Sequence, residues 1–353
     1  MQQQIARDVS DRMIRRLTGA DREQASKRHT DNAEAYQLYL RGRFLWNKRA
    51  PEPIAKAIEH FNRAIELDPG FALAYSGLAD CYAVPSSGLQ PAERMPKARA
   101  AARRAVELDD TLAEAHASLG SVYTDEWNWA GAEREFRRAI ELNPNYATAR
   151  QWNAELLNVL GRVPEAMAEI RRAQELDPLS PIIQMVVGTV LISAGEYDQA
   201  LAELRRTLEL DSGFSQAYIF LIRAYEGKGM YDEMFAAAKR DAALRADPQR
   251  RQAREQMVAM LQEAYKRGGA REFRRKLLEY QLEARKTFRG GNPVDIAESY
   301  SILGDKDQAF VWLNTAYEEH DDSLTYIKTN PRFDILRSDP RYADLLRHMN
   351  LPQ

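Results

Sequence analysis

AVELDDTLAEAH from Ala105, AIELNPNYATAR from Ala139 and AQELDPLSPIIQ from Ala173 are variants of one phrase, set 34 residues apart. A further copy, TLELDSGFSQAY, begins another 34 residues on at Thr207, and an earlier one, AIELDPGFALAY, begins at Ala64, 41 residues upstream of the first. Self-similarity at such a period marks a stacked repeat array, in which each unit buries its apolar face against its neighbours. Units set to this register fall at 38–71, 72–112, 113–146, 147–180, 181–214 and 215–248.

Each unit reads as two helices of about 14 residues joined by a short turn. Small residues recur at Ala79, Gly120, Ala154 and Gly188 in the first helix, and at Ala57, Ala132, Ala166 and Ala200 early in the second. A third row, Ala64, Ala105, Ala139 and Ala173, lies later in the second helix. Small side chains let helix axes approach closely. Tyr82, Tyr123, Tyr225, Phe61 and Phe136 supply the bulk between them. Pro69, Pro144 and Pro178 follow Asp or Asn just after the second helix, where a missing N–H and a restricted preceding residue stop propagation. The stretch AVPSSGLQPAERMP, Ala83 to Pro96, reads as a lengthened turn within the second unit. Beyond Asp247 the pattern blurs into a divergent pair near 249–289, and Ile296, Ala297, Tyr300, Ala309, Leu313 and Ala316 restore it near 290–323.

Gly120, Tyr123, Ala132, Phe136, Ala139 and Pro144 fall where the tetratricopeptide pattern places Gly, Tyr, Ala, Phe, Ala and Pro. The chain therefore resembles a tetratricopeptide repeat (TPR) protein. The resemblance implies an all-α fold, a right-handed superhelical solenoid of antiparallel helix pairs. The opening IARDVSDRMIRRL with TDNAEAYQLYLRGRFLWNKR, and the tail from Asn330 to Met349, also resemble the flanks of TPR arrays in multidomain bacterial signalling proteins. The organisation expected is an amphipathic helix and linker over 1–30, with Ile5, Val9, Met13 and Leu17 as its stripe, an array of about seven to eight helix pairs over 31–323, and a capping segment over 324–353. In that tail Asn330 and Asp339, each followed by proline, are predicted helix N-caps.

Little points to chemistry. Net charge is -2, so there is no global pull toward nucleic acid or anionic membrane. The single cysteine, Cys81, rules out an intrachain disulfide framework and reads as a small buried residue. The five histidines show no metal-ligand spacing, and His320-Asp321-Asp322 reads as a solvated loop with a helix cap. The longest apolar stretch, Ile182 to Ala194, is interrupted by Gln184, Gly188, Thr189 and Ser193 and is shorter than the ~20 residues of a membrane helix. Lys266, Arg267, Arg271, Arg274, Arg275 and Lys276 crowd the divergent unit, but helical spacing spreads them over more than one face and Glu272 and Glu279 interrupt them. No catalytic residue, cofactor or metal is expected, nucleic acid is disfavoured as a partner, and the chain is expected to be cytoplasmic.

What the resemblance implies for function is a groove. In TPR domains the first helix of each pair lines a concave surface. Mapped here, the partner-binding positions are Ser76, Asp80, Ser121, Gln151, Glu155, Asn158, Met185, Thr189, Ile219, Arg223 and Glu226. Half or more of such positions are expected to serve packing. The clamp that some TPR domains use for a C-terminal carboxylate needs lysine, arginine and asparagine where this chain has Ser76, Asp80, Ala117 and Ser121. The expected function is a non-catalytic scaffold that binds a peptide or protein segment in this groove. The alternative is the regulatory arm of a bacterial signalling protein whose effector lies outside this chain.

Overall fold

The computed structural model describes residues 29–352 apart from 85–86, 88, 90 and 289–290. The stripe anticipated at Ile5, Val9, Met13 and Leu17 lies outside the described residues. Antiparallel pairs follow one another along the chain: α1 (Ala33–Trp46) with α2 (Pro51–Leu67), α3 (Ala72–Ala83) with α4 (Pro91–Leu108), and α5 (Ala113–Asp125) with α6 (Trp129–Leu142). Next come α7 (Ala147–Val159) with α8 (Val163–Leu176), α9 (Pro181–Ser193) with α10 (Tyr197–Leu210), and α11 (Ser215–Gly227) with α12 (Tyr231–Ala243). Then α13 (Pro248–Phe288) breaks at Gly268 and Gly269, so that it forms the divergent pair. The last regular pair is α14 (Pro293–Leu303) and α15 (Lys306–Glu318), followed by two 3-10 segments, Asp322–Lys328 and Pro331–Leu336, and α16 (Pro340–His348).

Three local devices set the repeat. The second helices stop at an extended Asp or Asn: Asp68, Asn143, Asp177 and Asp211 all leave helical geometry. Most of these residues also turn the chain by accepting a backbone N–H two residues on, as Asp68 does from Gly70 at 2.9 Å and Asp211 from Gly213 at 3.0 Å. Within later units the turn needs a left-handed residue, and Gly161, Gly195 and Gly229 supply it with φ of 79°, 77° and 73°. Glycine also lets the paired helices touch. A Cβ on Gly120 would stand 2.8 Å from the Phe136 ring, and one on Gly188 would stand 2.7 Å from Leu204. Ala132, Phe136 and Ala139 are buried as the repeat register requires.

Two details differ from the sequence reading. Helix α4 starts at Pro91 and runs through Pro96, so the later part of the stretch read as a turn is helical. Arg94 explains this. It is 1% exposed and donates to the Ala83 carbonyl at 2.8 Å, which ties the first turn of α4 to the end of α3. The second difference concerns His320-Asp321-Asp322. Asp321 is the expected cap, accepting from Ser323 N at 2.9 Å, and the other two residues, though water reaches them, also make contacts across the fold. His320 stacks on Trp127 with 4.6 Å between ring centroids, and Asp322 pairs with Arg94 at 2.5 Å.

Those contacts show that the array closes on itself. Trp127 occupies the left-handed position that glycine fills in later units, with φ of 56°, and this strained placement lays its ring against Tyr317 and His320. Trp129 Nε1 donates to the Met349 carbonyl at 2.8 Å, and Lys328 Nζ donates to the Leu160 carbonyl at 3.1 Å. One continuous apolar core therefore joins Trp46, Phe61, Phe136 and Trp152 to Leu313, Leu324, Phe333 and Leu345. A second core runs from Ala154 through Phe273. The C-terminal segment seals its own end with the caps expected of it: Asn330 accepts from Arg332 N and Asp339 from Arg341 N, both at 3.1 Å. Its other role, as a bridge back to the third and fourth pairs, follows from side chains far apart in sequence.

Candidate functional site

Where the first helices of pairs four to six face the returning C-terminal segment, the fold leaves a cavity of about 590 Å³. One wall comes from α7, α9 and α11, with Glu155, Asn158, Met185, Thr189, Ile219, Arg223 and Glu226. The opposite wall comes from α14 and the 3-10 segments, with Val294, Glu298, Ile302, Tyr326 and Arg332. Apolar side chains that water reaches stand on both walls: Ile219 and Ile302 are each 44% exposed and Tyr326 is 39% exposed. Met185 is buried in the wall, so it supports the surface more than it presents it. Such a concavity, apolar with a few convergent polar groups, has the size and make-up of a ligand site.

The sequence-derived groove positions divide by location. Those from Glu155 onward reach the cavity, whereas Ser76, Asp80, Ser121 and Gln151 do not. Asp80 is 1% exposed and accepts from Arg43 Nη1 and Ser118 Oγ, both at 2.6 Å. Burial raises its pKa, and the Arg43 guanidinium opposes that rise. Ser76 shares a 2.7 Å hydrogen bond with Ser118, and Gln151 donates to Glu155 at 3.3 Å. Ser121 is half-buried on α5. From the first pair to the start of α7 the inner surface is thus filled by the chain's own side chains, with Trp46 and Trp152 meeting edge to face at 6.1 Å.

One end of the cavity is a network of ions. Arg332 bridges Glu298 at 2.7 Å and Glu226 at 2.5 Å, Arg274 also pairs with Glu226, and Asn330 donates to Glu298 at 2.6 Å. Arg223 lies 3.4 Å from Glu298 and 3.5 Å from Asp295. Burial alone would raise the pKa of Glu298; the guanidiniums of Arg223 and Arg332 outweigh it and hold this carboxyl well below the usual range. Asp295 is pushed the other way, by burial first and by Glu298 next.

The opposite end is less balanced. Glu155 accepts only from Gln151 and makes no ion pair among the described residues. Burial raises its pKa, countered by that hydrogen bond and by the more distant Arg49. Asn158 is 2% exposed and its Oδ1 finds no hydrogen-bond donor. Tyr326 stands within the concavity, with protein around it and water reaching its ring, and burial raises its phenol above the ordinary value. Sequence reasoning missed the C-terminal wall because Ile302, Tyr326 and Arg332 belong to no repeat position that faces a groove; Val294 and Glu298 do, corresponding to Met185 and Thr189, but the groove positions mapped from the sequence end at Glu226.

Elsewhere the chemistry is quiet. Cys81 is buried, and burial raises its thiol pKa. Among the described residues no group of three or more His, Cys, Asp or Glu side chains is placed to hold a metal ion, and no helix is long and apolar enough to cross a membrane. In the basic cluster Arg274 is buried in the ion network, while Lys266, Arg275 and Lys276 pair with Glu263, Glu272 and Glu279 at 2.7–2.9 Å.

Residues 123–188 match the tetratricopeptide repeat family profile. No curated protein matches the chain. Among solved structures the chain is similar to YrrB, described as a TPR protein with an unusual peptide-binding site, at 21% identity over 56% of this chain and 97% of that one, with a TM-score of 0.36. It is similar to pilF of Pseudomonas aeruginosa at 19% identity, covering 65% of this chain and 96% of that one, with a TM-score of 0.47. Human IFIT1, solved as a dimer with m7Gppp-AAAA, shares 16% identity over 76% of this chain and 69% of that one, with a TM-score of 0.48. The matched stretch, running from the end of α5 into α9, is a tetratricopeptide repeat segment, a fold that in general serves as a scaffold for protein interaction.

Proposed function

We propose that this tetratricopeptide repeat protein is a non-catalytic scaffold that takes a peptide or protein segment into the cavity between pairs four to six and its own C-terminal segment. The observation that carries the reading is the pair of facing apolar walls, with Ile219 and Ile302 each 44% exposed in a concavity of about 590 Å³. Burying them removes apolar surface from water, worth about 25 cal/mol for each Å². The receptor is also held in shape by the contacts of Trp127, Trp129 and Arg94 with the C-terminal segment, which limits the ordering cost on binding. A protein partner suits this surface better than nucleic acid, because the basic side chains nearest to it are already paired with carboxylates.

Panning a library of displayed random peptides against the chain tests this. Peptides captured by the parent chain should bind Ile219→Asp at least about tenfold more weakly, since a carboxylate then replaces an apolar contact at the centre of the wall. Thr189→Arg, which fills the cavity from α9, should act in the same direction. Ile219 is half in water already, so the thermal midpoint of Ile219→Asp should stay near that of the parent. Selected peptides that bind the parent and both variants equally would count against the site.

A further inference from the structure

The two ends of the cavity differ in what they lack. At the Glu298 end each carboxylate has a guanidinium partner, and Arg332 engages two of them. At the Glu155 end there are acceptors in want of donors. Glu155 has one neutral partner at 3.3 Å and no cation within ion-pair distance among the described residues. Asn158, 2% exposed and part of the same wall, has an Oδ1 with no donor. A buried acceptor without a donor is costly, and surviving ones call for an explanation. Asp322, also on the cavity wall, shares only one oxygen with Arg94, at 2.5 Å. The Tyr326 ring faces the same space and offers a surface on which a cation is favoured.

We infer that the segment taken into this cavity carries a basic side chain, lysine or arginine, whose ammonium or guanidinium seats against Glu155 and Asn158 while its apolar flank covers Ile219 and Ile302. The inference rests on the proposed peptide site and specifies its ligand. An ammonium supplies three donors and a guanidinium five, which matches a carboxylate plus an unmet amide oxygen. The stem of either side chain is apolar and lies well along the Met185 and Ile219 side of the wall. The ion network at the far end pairs each carboxylate with a guanidinium, and the unmet group there, Arg274 Nε, is a donor, so that end offers no comparable demand for an added cation.

The test again uses displayed random peptides, panned separately against the parent chain and Glu155→Gln. Peptides whose capture depends on Ile219 should be enriched severalfold in Lys or Arg on the parent, and that enrichment should disappear on Glu155→Gln while the apolar preference persists. A second arm needs no protein variant: replacing the basic residue of a selected peptide by norleucine should weaken its binding to the parent about tenfold or more, as expected for a charged hydrogen bond lost in a sheltered site. Ile219-dependent peptides without basic enrichment, or unchanged affinity of the norleucine peptide, would overturn the inference and leave the peptide site standing. Failure to select any Ile219-dependent peptide would overturn both.

Discussion

Replacing Arg332 by alanine is expected to lower stability by roughly 3 kcal/mol at neutral pH, the lower part of the range for removing one partner of a buried ion pair. The reason lies in what remains. Glu298 is 2% exposed and would keep only Asn330 at 2.6 Å and Arg223 at 3.4 Å, while Glu226 would keep Arg274. The deficit should depend on pH with a defined sign. The folded-state pKa of Glu298 is depressed, so its contribution is present above the unfolded value of about 4.3 and is lost as pH falls through the folded value. The difference between parent and Arg332→Ala should therefore be full at pH 7 and shrink on acidification. Arg332→Lys, which keeps the charge without the two-pronged geometry, should fall between them. Equal stability of parent and Arg332→Ala at pH 7 would show that the C-terminal segment is not held by this network.

Truncating Phe61 to alanine is expected to cost about 3–5 kcal/mol, the usual range for a fully buried phenylalanine. Phe61 is not exposed at all, and it fills a slot bounded by two glycines. A Cβ on Gly42 would come 2.6 Å from its ring and one on Gly77 would come 2.5 Å from it. The ring thus joins the first pair to the second at a distance that only glycine permits. A double-mutant cycle gives a sharper result: Gly77→Ala should be strongly destabilising in the parent but better tolerated beside Phe61→Leu, with a coupling of about 1 kcal/mol or more. Strict additivity would mean that the two residues do not share this contact. Thermal and urea unfolding with several probes suit the measurement, since repeat arrays need not unfold in one step.

The local fold was legible because a 34-residue period leaves little freedom. Once Gly120, Phe136 and Ala139 are in register, the pair geometry and the Asp or Asn stops follow from packing and backbone chemistry. The caps at Asn330 and Asp339 were legible for the same reason, as each combines a side-chain acceptor with proline at the next position. The closure of the chain was not legible. It depends on Trp127, Trp129 and Arg94 meeting Tyr317, His320, Met349 and Asp322, and nothing in a repeat pattern couples positions so distant. That closure also explains the division among the groove positions. Helical register assigns Asp80 and Glu155 to corresponding faces, yet Arg43 and Ser118 cover the first, whereas the returning segment leaves a space before the second. The turn at Trp127 did carry one signal. A tryptophan stands where later units place glycine, and a bulky residue in a left-handed position implies a contact that compensates for it.

The claim that a ligand enters between the repeats and the returning segment is tested most directly by amide hydrogen exchange of the full chain with and without a peptide selected on it. Protection should increase together in α7, α9 and α11 and in the segments Asp322–Lys328 and Pro331–Leu336, because one ligand would touch both walls. Protection confined to the second helices of the pairs or to the basic part of α13, with both cavity walls unchanged, would contradict it.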